Sequence, residues 1–322
     1  MTVAFASLRT LERAENLKSL WDAYDGDKVF IRRSYYHPDE LNNKKFDLVI
    51  TDEFLPDCIS PMIMIYHGIA GGKTYGLDAP RKYHTKESLK NYRWFITSSE
   101  DMVEFAAKQS GAPISKILPL GMPRTDAYIG KKKGDGGLLY ARTMPLHNKT
   151  VYLYVPTFRT LTIDLTVWNA IDSWLDDDEV LLIKRHQFDK DKMIKRTPYQ
   201  HIIEVDPYIP STPYLIDCDV VITDYSSIMF DAMVLDKPVV LFEKDWSSYR
   251  EQRGMYFNYP DEYSTRHTQN GHELLRLCRE AVRKGPGEVE TYNKRHLAGA
   301  CDGNSVERII NLIKSEVGNH GE

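Results

Sequence analysis

The residues best suited to chemistry in this sequence lie at 218–231, where a short apolar run passes through a polar turn into a second apolar run. Val220–Thr223 are too few for anything but a strand, whereas Ile228–Leu235 have helical spacing. Ser226 and Ser227 stand where that helix begins. The free N–H groups and the positive dipole end of a helix favour an anion, and a serine hydroxyl adds a donor. The alternative is an ordinary cap that bonds its own backbone. Two adjacent serines with acids on both sides predict a phosphate site.

A second candidate group follows the apolar run Met62–Ile65. His67 leaves this run into a loop that contains Gly68, two further glycines and Lys73. A near-neutral pKa suits histidine to general base catalysis, and glycines allow a substrate to approach closely. A lone histidine is often structural, and this loop does not fit the GxGxxG fingerprint. The flanking glycines and the lysine nevertheless favour a catalytic role.

Basic side chains follow two predicted strands of the second half, and a third turn carries an arginine. Cations at such strand ends would neutralise a diphosphate and the charge that develops as it breaks, although each alone could be a solvated surface charge. The residues are Pro156, Thr157 and Arg159 after the first strand, Lys184, Arg185 and His186 after the next, and Arg124 in the turn after residues 116–120.

Strand-like and helix-like runs alternate along the chain, which indicates an α/β fold. We predict strands at 2–7, 28–32, 47–51, 62–66, 94–97 and 116–120, with helices at 9–24 and 100–110. After a Lys- and Gly-rich break at 130–137, strands are predicted at 150–155, 180–184, 201–204, 219–223 and 238–242. These runs lack period-two alternation, as is typical of parallel strands covered on both faces. We therefore predict two Rossmann-like domains, 1–140 and 141–322, with ligands at the carboxyl ends of the strands.

Composition narrows the class of protein. A chain of 322 residues, 42% hydrophobic and 27% charged, is long enough for two globular domains. The net charge of -4 argues against nucleic-acid binding. Four scattered cysteines without CxxC pairs predict buried, reduced thiols and no zinc site. The acidic run Asp176–Glu179 precedes its strand and is predicted to be a solvated turn, so we expect no bound metal.

Two features bear on localisation. The chain lacks the long apolar region of a signal peptide and any run of about eighteen apolar residues, so we expect a cytoplasmic protein. Residues 81–95 mix basic and aromatic side chains, which could touch an anionic lipid headgroup at the cytoplasmic face of the membrane. The simpler alternative is an exposed basic helix.

In their order along the chain, these motifs resemble the CDP-glycerol glycerophosphotransferases, the family of teichoic-acid and capsule glycerophosphate primases and polymerases. The similarity runs from about residue 60 to the end of the chain. Its pieces are His67-Gly68 with Lys73, Gly121 through Asp126, Pro156 through Arg159, Lys184-Arg185-His186, Thr223 through Ser227 with Asp231, Asp236-Lys237-Pro238, Tyr249 with Arg253-Gly254, and Asp302 through Ser305.

The resemblance implies a GT-B-like architecture, two Rossmann-like domains with parallel sheets that face an interdomain cleft. It implies transfer of glycerol phosphate from CDP-glycerol to a hydroxyl of a glycan or lipid-linked acceptor, with release of CMP. His67 matches the base and His186 a group that stabilises the leaving phosphate. The matching donor contacts are Gly68, Arg124, Pro156, Thr157, Lys184, Arg185, Ser226, Ser227 and Asp231, with Lys73, Arg159, Asp224, Arg253 and Ser305 as secondary candidates.

One departure and several alternatives accompany this resemblance. Members of the family usually place the lysine one position closer to the histidine than Lys73 lies here, so the acceptor-side loop differs and the acceptor is open. CDP-ribitol is an alternative donor. A GT-B glycosyltransferase or nucleotide-sugar epimerase would use the same scaffold, and a non-catalytic binding module would bind the donor without turnover. No tightly bound cofactor is expected.

Overall fold

The computed structural model describes residues 1–33, 40–55, 57–66, 68–69, 89–137, 146–157, 165–186, 199–252 and 259–318. These residues form two compact units. The first holds the described residues within Met1–Ala70, Gly76–Ile129 and Arg295–Glu322, and the second holds those within Gly130–Lys294. The predicted domains were 1–140 and 141–322, so the structure moves the boundary by about ten residues and assigns the C-terminal residues to the first unit.

Each unit contains one six-stranded sheet in which every neighbouring pair of strands is parallel. The first sheet has the order β2-β1-β3-β4-β5-β6 and the second β12-β11-β10-β7-β8-β9. The strands are β1 (Val3–Ser7), β2 (Lys28–Arg32), β3 (Leu48–Thr51), β4 (Met62–Ile65), β5 (Tyr92–Ile96), β6 (Ile117–Leu118), β7 (Thr150–Val155), β8 (Glu179–Ile183), β9 (Ile202–Glu204), β10 (Val220–Thr223), β11 (Val239–Phe242) and β12 (His267–Thr268).

Helices lie between many of the strands, as is usual in parallel sheets. They are α1 (Glu15–Ala23), α2 (Glu40–Asn43), α3 (Val103–Ser110), α4 (Leu165–Trp174), α5 (Thr212–Asp217), α6 (Ile228–Val234), α7 (Trp246–Gln252), α8 (Gly271–Lys284), α9 (Glu288–Leu297) and α10 (Ser305–Gly318). The helix predicted at 9–24 is a 3₁₀ turn, Leu11–Arg13, followed by α1. Another 3₁₀ helix, Pro123–Ala127, also lies in the first unit.

The central strands owe their burial to continuous apolar sequence. Every residue of β1, β3, β8, β10 and β11 is buried, which matches strands covered on both faces. The predicted α/β class with two parallel sheets is confirmed. All four cysteines, which lie among the described residues, are free and buried as predicted.

The C-terminal helix α10 completes the core of the first unit. Ile309 and Ile313 on one of its faces are fully buried. Arg308 Nε donates to the Leu120 carbonyl at 3.0 Å, and Trp94 Nε1 in β5 donates to Glu316 at 2.7 Å. The chain thus returns to the first unit after the second, which explains why a single boundary read along the sequence leaves α10 out of the first domain.

Candidate functional site

The carboxyl edge of the second sheet gathers most of the predicted site residues. Its strand order is that of the dinucleotide-binding Rossmann fold, in which connections leave β7 and β10 in opposite directions. Ligands of such sheets bind where the order reverses, outside the carboxyl ends of these two strands. Pro156 and Thr157 follow β7, and Asp224 through Ser227 follow β10.

Asp224 ties the two strand ends together. Its side chain is fully buried, and its Oδ1 accepts the backbone N–H of Thr157 at 2.8 Å and of Tyr225 at 2.5 Å. One residue earlier in the sequence, Thr223 Oγ1 donates to the Val155 carbonyl at 2.6 Å. Asp224 was a secondary candidate for donor contact, whereas the structure gives its carboxylate a role in holding both turns.

The two serines stand at the beginning of α6, as predicted. Ser227 precedes the helix, but its side chain makes no capping hydrogen bond. Ser226 Oγ accepts the N–H of Ile228 at 3.4 Å, a long contact. The ordinary-cap alternative therefore accounts for neither serine well. Asp231 lies in the first turn of the same helix, with its side chain almost wholly buried.

The Thr157 hydroxyl is a buried polar group with no hydrogen-bond partner in the described part of the chain. A buried hydroxyl without a partner is costly and calls for an explanation in a native site. It lies at the reversal point of the strand order, between the turn after β10 and the strand end of β8. A ligand oxygen at this place would supply the missing partner.

Three cationic or titratable residues follow β8, the neighbour of β7. Lys184 is buried, and its Nζ donates to the Pro207 carbonyl at 3.2 Å. Arg185 pairs with Glu204 at the end of β9, with Nε donating to Oε1 at 2.5 Å. His186 is half-buried. The predicted cluster therefore lies beside Thr157, but part of the Arg185 charge is already compensated by a carboxylate that the sequence reasoning did not include.

In the first unit, the predicted residues fall into two segments. Gly68 is half-buried beyond β4, and Arg124 is buried in the 3₁₀ helix Pro123–Ala127. That helix follows Gly121, whose φ is +90° and whose position would put an added Cβ 2.2 Å from the Ala300 carbonyl oxygen. Only glycine fits there. Ser305, a secondary candidate, is buried at the beginning of α10, with Oγ donating to the Ala300 carbonyl at 3.4 Å.

Four predicted site residues lie outside the described residues, namely His67, Lys73, Arg159 and Arg253. Of segment 81–95, residues 81–88 also lie outside them. The rest does not form an exposed basic helix, because β5 buries Tyr92 and Phe95 in the core. Membrane contact through residues 81–88 stays a prediction.

The sequence reasoning missed a polar cluster at the carboxyl edge of the first sheet, between β1 and β3. Arg9 Nη1 lies 3.0 Å from Asp52 Oδ2, and Asp52 is almost wholly buried. Burial raises the pKa of Asp52, and burial together with the Asp52 charge raises the pKa of Glu53 to about 7. The sequence does indicate this cluster, because two acidic residues, Asp52 and Glu53, directly follow the buried strand Leu48–Thr51.

No group of three or more His, Cys, Asp or Glu side chains in the described ranges is arranged to hold a metal ion. None of the helices in this part of the chain combines the length and the apolar character needed to cross a membrane.

Comparison with known proteins links the chain to enzymes of teichoic acid synthesis. A teichoic acid glycerol-phosphate primase of Bacillus subtilis is 26% identical over 268 residues, covering 79% of this chain and 68% of the primase. A teichoic acid poly(ribitol-phosphate) polymerase of Bacillus spizizenii is 25% identical over 291 residues, covering 83% of this chain and 46% of the polymerase. The chain thus spans about half of the polymerase's length and about two thirds of the primase's.

A solved structure of the wall teichoic acid polymerase TagF has the same fold, with a TM-score of 0.77 over 100% of this chain and 90% of that one, at 17% identity. The family described as CDP-glycerol:poly(glycerophosphate) glycerophosphotransferase matches residues 42–315, which is most of the chain. With this match and the order of strand-end motifs, the chain belongs to that family.

Proposed function

We propose that this protein transfers glycerol phosphate from CDP-glycerol to a hydroxyl of a teichoic-acid or related glycan acceptor and releases CMP. The observation that carries the proposal is the convergence of three neighbouring strand ends in the second unit. They bring Ser226 and Ser227, the Thr157 hydroxyl, which has no partner among the described residues, and the Lys184–His186 cluster to one edge of one sheet. Hydroxyl donors beside cations suit a diphosphate.

In the proposed reaction, the acceptor hydroxyl oxygen forms a bond to the phosphorus that carries the glycerol. The bond between that phosphorus and the bridging oxygen of the diphosphate breaks, and CMP departs with the bridging oxygen. The hydroxyl proton passes to His67. Little covalent chemistry is left for the protein, so catalysis rests on positioning and on stabilising negative charge.

The second unit supplies the donor site in this proposal. The serines and Thr157 bind phosphate oxygens, while Lys184 and His186 stabilise the negative charge on the leaving CMP. Arg185, already paired with Glu204, contributes less positive charge than a lone arginine would. Asp231 reads a donor hydroxyl, and Arg124 is a further donor contact.

The assay is acceptor-dependent CMP release from CDP-glycerol by the full chain. Lipid-linked and soluble glycans serve as acceptors. His67→Ala should abolish CMP release while leaving donor affinity nearly unchanged, because the base acts on the acceptor. The matched control is His272→Ala, since His272 is exposed on α8, and this variant should keep wild-type turnover.

Donor binding without CMP release by wild type would favour a binding module, and turnover of a UDP-sugar alone would favour a glycosyltransferase or epimerase. A large loss of donor affinity in His67→Ala would contradict the role of His67 as the base.

CDP-ribitol is the second candidate donor, because one of the relatives is named as a ribitol-phosphate polymerase. Parallel assays with both donors at equal concentration distinguish them by kcat/KM.

A further inference from the structure

Asn16 is a buried amide where an apolar residue would be easier to bury. It lies in the first turn of α1, is 4% exposed, and neighbours the fully buried Leu17. An amide removed from water is costly unless both its N–H and its carbonyl find partners. The partners of this side chain therefore indicate what it is for.

Both hydrogen bonds of the Asn16 side chain lead to segments that carry predicted site residues. Asn16 Nδ2 donates to the Tyr66 carbonyl at 3.3 Å, and Asn16 Oδ1 accepts the backbone N–H of Arg124 at 3.2 Å. The Tyr66 carbonyl belongs to the peptide bond that joins β4 to His67. One side chain thus connects the end of β4 to the 3₁₀ helix.

The 3₁₀ helix is itself held firmly on its other sides. Gly121 N–H donates to the Thr97 carbonyl at 3.0 Å, and Asp126 Oδ2 accepts the N–H of Val306 at 2.7 Å. Thr125 in its centre is fully buried. Asn16 therefore joins the end of β4 to a segment that other hydrogen bonds already hold in place. The hydrogen bond to the Tyr66 carbonyl thus fixes the position of the end of β4 relative to that segment.

We propose that Asn16 is a positioning residue that fixes the backbone leading to His67 relative to the Arg124 turn. This inference rests on the proposed function, in which His67 is the base and Arg124 a donor contact. The family match covers residues 42–315, and Asn16 precedes them, so the match gives Asn16 no role. Displacement of a catalytic group by about 1 Å can cost about a hundredfold in rate.

Two substitutions separate the hydrogen bonds of Asn16. Asn16→Asp keeps an oxygen that accepts the Arg124 N–H but has no N–H for the Tyr66 carbonyl, and a carboxylate is tolerated in the first turn of a helix. Asn16→Ala removes both bonds. The matched control is Asn91→Asp, because Asn91 Nδ2 donates to the Cys58 carbonyl at 2.8 Å at the opposite, amino end of β5.

Steady-state CMP release and Tm are measured for all variants. For Asn16→Asp we expect kcat to fall about 10- to 100-fold with the donor KM within about twofold of wild type. For Asn16→Ala we expect the same fall in kcat with a raised donor KM, because the Arg124 turn also loosens. Asn91→Asp should lower Tm as much as Asn16→Asp and leave kcat within about twofold. Equal losses of kcat in Asn91→Asp and Asn16→Asp at equal Tm would overturn the inference.

Hydrogen exchange by mass spectrometry tests the inference independently of turnover. Asn16→Asp should lose protection in peptides that end at Tyr66 and keep it at Met122–Ala127, whereas Asn16→Ala should lose it in both. If the wild-type protein releases no CMP but the two variants show these exchange changes, the proposed function is rejected and the connection between the two segments is retained. Unchanged exchange in both variants would reject the tie itself, whatever the activity.

Discussion

At the scale of single residues, Asp224 is a buried carboxylate that holds together the two turns of the candidate site. It accepts the N–H groups of Thr157 and Tyr225 from the ends of two strands. Asp224→Ala leaves both donors without an acceptor, at about 1–3 kcal/mol each, and frees both turns. We expect the donor KM to rise at least about tenfold and Tm to fall.

Asp224→Asn is the matched control, since the amide oxygen still accepts both N–H groups. Its donor KM should stay within about threefold of wild type. Steady-state CMP release and differential scanning fluorimetry provide the two measurements, and a wild-type donor KM in Asp224→Ala would contradict the role of Asp224.

The raised pKa of Glu53 predicts that the stability of the folded protein depends on pH. Burial and the neighbouring Asp52 raise its folded-state pKa to about 7, above the ordinary value of 4.5. Between these two values the folded state holds the proton and the unfolded state does not, so the contribution of Glu53 to stability is lost as pH rises toward 7. Glu53→Gln removes the titration and should be more stable than wild type at pH 8, by about 1 kcal/mol after allowance for solvent screening.

Thermal unfolding at pH 5, 6, 7 and 8 measures this effect. The Tm difference between Glu53→Gln and wild type should grow with pH. Glu104→Gln, at an exposed position of α3, provides the control. A difference that does not change with pH would contradict the raised pKa.

At the scale of elements, runs such as Val220–Thr223 and Met62–Ile65 made the strands and their carboxyl ends predictable. A short run of apolar residues indicates a strand that is buried on both faces, and the polar residues that flank the run mark where the strand begins and ends. The two-residue strand β12 left no such signal. The Arg185–Glu204 ion pair and the hydrogen bonds of Asn16 to Tyr66 and Arg124 were also missed. They depend on which strands and helices become neighbours in the fold, which a local sequence pattern does not show.

Helix α8 is joined to β8 by Arg279. Its guanidinium bonds Glu179, which is only 7% exposed and also accepts the hydroxyl of Tyr152 at 2.6 Å. Burial acts to raise the pKa of Glu179, but the bonds from Arg279 and Tyr152 outweigh it and hold that pKa below its ordinary value. Arg279→Met should destabilise the protein by about 3 kcal/mol, because it leaves a buried carboxylate without its cation.

Arg276 on the same helix is the control, because its partners Glu273 and Glu280 form exposed pairs and Arg276 itself is 54% exposed. Arg276→Met should therefore lower the free energy of unfolding much less than Arg279→Met does. Urea denaturation of both variants measures the two costs, and equal losses would contradict the role given to Glu179.

At the scale of the whole molecule, the first unit is built from two distant stretches of chain. Ile313 of α10 is fully buried in this unit, and Ile313→Ala should cost about 2–5 kcal/mol. Hydrogen exchange should show lost protection in β1, β3 and β4, with β7, β8 and β10 unchanged. Asn311→Ala, at an exposed position of the same helix, should change neither set. Loss of protection in both sheets would contradict the division into two units.

The return of α10 to the first unit also sets an order of events during synthesis. The ribosome releases β1 through β6 early, but the helix that covers part of their core emerges only after the whole second unit has been translated. A domain folds as a unit once all its parts are available. The second unit can therefore reach its native state on the nascent chain, while the first unit, whose strands emerge earlier, is completed only afterwards.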